Sequence, residues 1–344
     1  MKRVRKIALI GFGEVGQILG EDLVAPEGGI SAYDIRFDEP ESPPMRAVRA
    51  SVRVEAPPDA HGALADADLI ISAVTAERTL EAARSVTGAL RPETLYLDLN
   101  SASPGTKCEA ARIVEAAGGR YIEAAVMSPF PPKRLGSPIL LGGPHAEAFL
   151  PLGQMLGFKA LRAFSTEFGR ASAAKMCRSV VVKGMEALLS EALIAARHYG
   201  VEDTLLASLD DLFPGPDWPQ LAHYMISRSL VHGRRRAEEM REVARTVSEA
   251  GLDPQMSTAT AERQDWAGAL TGIPDTPQLG TLLDALAGHD PRFGAYPRRF
   301  AAALDGIDAG RHELVSAPTL DSVHNVWFEF HEDLLRTLGR ARVE

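Results

Sequence analysis

The sequence predicts an α/β protein: an N-terminal Rossmann-type, doubly wound and mostly parallel sheet over residues 1–166, then an all-helical region over residues 167–344 that begins with a long interdomain helix. Three observations lead there. Short apolar runs alternate with helix-like stretches through the first half, a glycine-rich turn joins the first run to the first helix, and from about Glu167 the strand pattern stops.

The first run, Lys6 to Ile10, passes into Gly11-Phe12-Gly13-Glu14-Val15-Gly16, after which helical spacing resumes with Ile18, Leu19 and Leu23. G-x-G-x-x-G between strand and helix is a dinucleotide fingerprint. The first glycine makes the tight turn, the second lets a pyrophosphate approach, and the third lets helix pack on strand. Free N–H groups at the helix start then bind phosphate. Glycines also serve ordinary strand-to-helix turns, so the context matters.

That context is the second run, Ile30 to Tyr33, which ends in Asp34. A carboxylate there, about 20 residues past the glycines, accepts ribose hydroxyls and repels a 2′-phosphate. A turn or cap aspartate is the alternative. Arg36 follows and is placed to meet such a phosphate, so NAD is expected, with NADP left open. Cofactor contacts are expected from Gly11, Phe12, Gly13, Glu14, Val15, Gly16 and Asp34, and from Val74 and Thr75 at the end of the next run.

Strand-type runs continue at Leu69 to Val74, Thr94 to Leu97, Tyr121 to Val126, Ile139 to Leu141 and Leu161 to Phe164, with helices at Ala76 to Leu90 and Lys107 to Ala117. An alanine-rich helix is expected from Arg170 to His198, closing at Tyr199-Gly200, where glycine takes the left-handed cap. Further helices are expected at Thr204 to Leu212, Trp218 to Leu230, Arg235 to Ala250, Thr276 to Leu286 and, as a terminal element able to dock on a partner subunit, Ser322 to Leu338.

Composition narrows the partners. A chain of 344 residues is long enough for two domains, and a formal charge of −9 argues against a nucleic-acid surface while leaving room for a local cationic pocket. Cys108 and Cys177 have no metal or redox spacing and read as reduced cytoplasmic thiols. No export signal or membrane span is expected, since the apolar run after the basic start is short and enters the glycine turn at once. The nine histidines form no ligand set, and His324 with His331 reads as helix surface, so no metal is expected.

Chemistry is sought just past the carboxyl ends of the strands. Asp98-Leu99-Asn100-Ser101-Ala102-Ser103-Pro104 is a polar cluster that is either part of a site or a turn capping the next helix. Met127-Ser128-Pro129-Phe130-Pro131-Pro132-Lys133 either presents backbone N–H groups to an anion or routes a loop. On the long helix, Lys175, Ser179 and Lys183 fall at i, i+4 and i+8 with Arg178 beside them, and a solvated face is the alternative there. Arg234 to Arg236 beside His232 reads as a solvated helix start, or as cations reaching an anionic substrate.

The glycine turn, the cluster Asp98 to Pro104 and Gly169-x-x-x-x-x-Lys175, in this order, resemble the 3-hydroxyacid dehydrogenase and 6-phosphogluconate dehydrogenase superfamily. More closely, Ser179 to Leu188 and Arg235 to Val243 resemble the branch with a phosphogluconate-dehydrogenase-like helical domain, and the likeness runs to about Trp266. It implies a catalytic lysine at Lys175, substrate contacts at Ser101 with Asn100 beside it, a helical substrate and dimerisation domain, and a cytoplasmic homodimer.

Three departures stand out. Ser179 replaces the usual asparagine and admits a larger or different substrate. Met127-Ser128-Pro129-Phe130 replaces a glycine-rich motif. Val182 stands where the decarboxylating sugar-phosphate enzymes have a glutamate, which argues against 6-phosphogluconate itself.

The mechanism expected follows from charge. As hydride leaves a carbinol carbon for nicotinamide, the hydroxyl loses its proton, and a positioned lysine of lowered pKa can accept it and return it in reverse. Lys175 takes this role, Ser101 and Ser179 orient the hydroxyl, Ser128 adds a contact, and Lys183 or Arg178 holds the carboxylate or phosphate of a small 3-hydroxy acid or related anionic alcohol. An imine or keto reductase, and an NAD-binding protein without turnover, are the alternatives.

Overall fold

The computed structural model describes residues 4–270 and, beyond them, 273, 278–287, 303, 307, 311–315, 322, 323 and 326. Eight strands form one sheet: β1 (Ile7–Ile10), β2 (Ile30–Tyr33), β3 (Val54–Glu55), β4 (Leu69–Ser72), β5 (Leu95–Asp98), β6 (Arg120–Val126), β7 (Ile139–Gly142) and β8 (Leu161–Ser165), in the order β3-β2-β1-β4-β5-β6-β7-β8. Every neighbouring pair is parallel except β6 with β7. Strand order runs outward in both directions from β1 and β4, so the connections diverge there and leave a crevice beyond the carboxyl ends of that pair.

Alternate residues of the strands feed opposite faces, as a two-residue period requires. Ile7 and Leu9 join one buried cluster with Ile30, Leu69, Ile71, Leu97 and Ile122; Ala8 and Ile10 join the other with Ile70, Tyr96 and Tyr121. Covered on both faces, the strands read as continuous apolar runs, which is why they were legible. β3 escapes the pattern, at two residues too short to carry one, and so does β8, an edge strand with no fully buried residue.

Helices of the sheet region are α1 (Glu14–Asp22), α2 (Pro43–Ala50), α3 (Ala60–Leu64), α4 (Thr79–Ser85), α5 (Pro104–Ala116), α6 (Phe130–Lys133) and α7 (Ala146–Met155). The helix expected over Ala76 to Leu90 is a 3-10 turn at Ala76–Arg78 followed by α4. Among the described residues only helices follow β8: α8 (Arg170–Tyr199), α9 (Glu202–Leu212), α10 (Trp218–Glu249), α11 (Gln255–Ala269), α12 (Leu279–Ala287) and a short 3-10 turn at His312–Val315. Gly200, at φ +68°, closes α8 as expected. The helix expected over Ser322 to Leu338 lies, apart from residues 322, 323 and 326, outside the described residues.

One expectation is corrected. Trp218 to Leu230 and Arg235 to Ala250 are a single 32-residue helix, α10, because Gly233 serves packing and not a break. A Cβ on Gly233 would lie 2.4 Å from Gln264 O, and one on Gly268 would lie 2.6 Å from Arg234 N, so the two glycines let α10 and α11 cross backbone to backbone. α11 was not expected at all, since its buried face is Ser257, Thr260, Ala261, Gln264 and Ala267, with no apolar stripe to read.

Contacts group the described residues up to 188 with 228–269 into one compact unit, and residues 189–227 with the described residues from 270 onward into a second. In the second, Trp218 donates its indole N–H to Phe213 O and buries its ring. No helix among the described residues is long and apolar enough to cross a membrane.

Candidate active site

All residues that follow lie in the unit that carries the sheet. Its glycine turn separates the three glycines by role. Gly11 has φ +91°, and a Cβ there would lie 2.4 Å from Ala73 O. At Gly16 a Cβ would lie 2.2 Å from Gly11 O, so the helix could not close on the strand. A Cβ on Gly13 would meet no atom within 4 Å, although Gly13 caps α1 without any side-chain acceptor. An open glycine at an uncapped helix start fits a pyrophosphate.

Besides α3, which its own Asp59 caps, two other helix starts in the unit are filled by carboxylates from other elements. Glu123, buried on β6, accepts Gly169 N at 2.7 Å and Ser172 N at 2.6 Å, capping α8. Glu249 accepts Ser103 Oγ at 2.7 Å and Gly105 N at 2.9 Å, and Glu242 accepts Ser103 N at 2.7 Å, capping α5 from α10. Each carboxylate offsets the positive end of its helix. No side chain of the described residues caps the start of α1 in this way.

Asp34 braces the glycine turn. Its Oδ2 accepts Phe12 N at 2.7 Å and its Oδ1 accepts Arg36 N at 2.9 Å, so it caps a turn as well as standing at the ribose position. Phe12 buries its ring in the core, commits its N–H to Asp34, and accepts the Gln17 amide on its carbonyl at 3.1 Å. Arg36 pairs with Glu39 at 3.3 Å. Glu14, first residue of α1, pairs with Arg235 of α10 at 3.2 Å, so one of the cations set aside as a solvated helix start reaches the edge of the glycine turn.

Asn100 works between strands. Its Nδ2 donates to Ser72 Oγ at 3.0 Å and its Oδ1 accepts Val74 N at 2.8 Å, fixing the backbone after β4 against that after β5. Beneath it the buried Asp98 pairs with Lys107 at 2.8 Å and accepts Tyr121 OH at 2.6 Å. Burial, with the charge of Asp98 beside it, pushes the Tyr121 phenol well above its ordinary range, so it stays a donor. Val15 packs against the core, and Thr75 precedes a 3-10 turn with no side-chain cap.

Ser101 follows, and Lys175 Nζ donates a hydrogen bond to its Oγ. Glu123 sets the start of α8, and Met176 packs with Met240, Val243 and Ala261 of α10 and α11, so the face carrying Lys175 is fixed at both levels. Burial lowers the Lys175 amine to about 8; Glu239 opposes the shift, and Lys183, Lys107 and Arg235 add to it. On the same face Lys183 is buried and pairs with Glu239 Oε2 at 2.5 Å. Burial pulls the Glu239 carboxyl upward, but Lys183, Lys175 and Arg235 outweigh it and hold it at about 2.

Ser179, between the lysines, is buried, and its hydroxyl has no partner among the described residues. Arg178 is exposed and has no ion pair among the described residues. Ser128 donates to the adjacent Pro129 O at 3.2 Å in a loop tied down where Met127 N meets Pro138 O. No group of His, Cys, Asp and Glu able to hold a metal occurs among the described residues.

Sequence reasoning therefore brought Lys175, Ser101 and Asn100 to one place and missed their supports. Glu123 carried a signal, a lone acid inside an apolar strand. Glu239 carried none, being one of several acids on a polar helix.

Comparison with known proteins agrees with this layout. Residues 6–101 match a family model described as NADP oxidoreductase, coenzyme F420-dependent, and residues 196–267 match a domain of unknown function, DUF1932. A conserved hypothetical protein from Sinorhizobium meliloti 1021 is 36% identical, with a TM-score of 0.67 over 84% of this chain and 98% of its own. The conserved protein MTH1747, described as structurally similar to 3-hydroxyacid dehydrogenases, is 31% identical, with a TM-score of 0.58 over 76% of this chain and 96% of its own. The 3-hydroxyisobutyrate dehydrogenase of Mycobacterium tuberculosis, solved with L-serine, shares the fold at 18% identity, with a TM-score of 0.63 over 83% of this chain and 99% of its own. The chain belongs to the family of the first two proteins, a branch of the 3-hydroxyacid dehydrogenase and 6-phosphogluconate dehydrogenase superfamily in which a Rossmann N-terminal region precedes a helical C-terminal one.

Proposed function

We propose that the protein is an NAD(P)-dependent oxidoreductase acting on a small 3-hydroxy acid or related anionic alcohol, with Lys175 as general acid and base. The hydrogen bond from Lys175 to Ser101 carries this reading: it brings an amine of lowered pKa to the carboxyl edge of β5, two strands from the open glycine turn. A nicotinamide bound at that turn supplies or accepts the hydride. Lys175 takes the hydroxyl proton of the substrate as the carbinol is oxidised and returns it in the other direction. Ser101, held by Lys175, and the unpartnered Ser179 orient that hydroxyl; Asn100 fixes Val74 beside the cofactor and Ser101 beside the substrate.

Lys183 already meets Glu239, so Arg178 is the better candidate for the substrate's anionic group, with Ser128 as a further contact. Asp34 and the engaged Arg36 favour NAD, while the family model matched by residues 6–101 is described for NADP. Residues 1–166 and 167–344 as folding domains, a homodimer and cytoplasmic residence belong to the same reading.

The test is a nicotinamide absorbance assay with pooled 3-hydroxy acids, with both cofactors. Turnover by the wild type that is lost in Lys175→Met, with cofactor binding retained, supports the reading. Cofactor binding without turnover on any pool overturns it in favour of an NAD-binding protein.

A further inference from the structure

We infer that Glu239 of α10 is a positioning residue for Lys175: its carboxylate holds Lys183 in an ion pair on the helix that also carries Lys175, so that one acid and two amines act as a single charge cluster. This rests on the reading of Lys175 as the proton-transfer group.

The geometry is asymmetric. Lys175 and Lys183 stand two turns apart on one face of α8, and Glu239 Oε2 lies 2.5 Å from Lys183 Nζ. The Lys183 side chain is 9% exposed and that of Glu239 25%, so their charges are screened less than a surface pair. The charged groups that act on Lys175 are Lys183 from α8, Glu239 and Arg235 from α10, and Lys107 from α5. Lys107 is paired with Asp98 and Arg235 with Glu14, although Arg235 also acts on Glu239. Lys183 and Glu239 differ, because both members of the pair act on Lys175, and with opposite sign.

Without the acid, Lys183 is an uncompensated buried cation two turns along α8 from Lys175, and it pushes the amine of Lys175 further toward its neutral form. With the acid in place, Lys175 keeps a proton to give near neutral pH, and the charge of Lys183 is already satisfied. The substrate's anionic group is then met by another cation. Arg178, one turn from Lys175 and exposed, is placed for it.

The inference is tested by competitive acetylation of the intact protein with acetic anhydride across pH, the Lys175 peptide being followed by mass spectrometry. No substrate is needed, so absence of turnover would remove the oxidoreductase reading and leave this measurement to be decided on its own. The wild-type midpoint is expected near about 8. Glu239→Gln should move it down and Lys183→Met should move it up, each by about one pH unit. The double variant should return between them, and Glu239→Asp should stay near the wild type. A midpoint unmoved in both single variants, or moved the same way in both, overturns the inference. Should Glu239→Gln fail to fold, Lys183→Met and Glu239→Asp decide the matter, a rise in the first with none in the second being required.

Discussion

Lys175 of α8 donates its Nζ–H to the Oγ of Ser101, joining a helix that follows the whole sheet to the loop that follows β5. Everything expected of the site depends on this bond, because it delivers an amine to the edge of the crevice and gives the serine a fixed orientation.

Replacing Lys175 by Met should lower kcat by 10²–10⁴-fold, the usual worth of a positioned acid or base, with little change in the dissociation constant of the nicotinamide cofactor. The direction of the pH dependence follows from the amine titrating at about 8. Alcohol oxidation needs the neutral amine and should rise through that pH, whereas carbonyl reduction needs the ammonium and should fall through it. Initial rates in both directions check the sign.

The same substitution should stabilise the fold. The amine titrates at about 8 in the folded chain against 10.5 when unperturbed, so folding is opposed wherever the amine of the unfolded chain is protonated. The penalty is complete below pH 8 and gone above pH 10.5. At neutral pH, Lys175→Met should gain on the order of 1–3 kcal/mol, less what the Ser101 hydrogen bond contributed. Denaturant melts at pH 7 and pH 10.5 would show the gain shrinking.

Gly11 and Gly13 should respond differently to alanine. At Gly11 the backbone is left-handed and the methyl group meets Ala73 O, so Gly11→Ala should destabilise by at least about 2 kcal/mol. Gly13→Ala meets no protein atom, so stability should hold while cofactor affinity falls tenfold or more. Thermal melts with cofactor titration separate the two effects.

Asp34→Asn keeps the shape of the brace on Phe12 N and removes its charge. The ratio of kcat/KM for NAD over NADP should fall by about tenfold, the worth of roughly 1.4 kcal/mol. An unchanged ratio would show that Asp34 serves only the turn.

Breaking the buried pair below the site should cost more than any of these. Lys107→Met takes the cation away from the buried carboxyl group of Asp98, at an expected cost of about 3–5 kcal/mol. Urea unfolding measures it directly.

The chain by itself determined most of the sheet, the glycine turn, the long helix and the helical face that carries Lys175, since each is written in local patterns: apolar runs for doubly covered strands, fixed spacing for the turn, and side chains on one helical face. Only the tertiary structure decided that Glu123 caps α8, that Glu242 and Glu249 cap α5, that Gly233 joins two expected helices into one, and that Glu239 stands against Lys183. These contacts link residues far apart in sequence, 139 positions in the case of Ser103 and Glu242. Their partners are acids and glycines of common type, which acquire a role only when another element is brought against them.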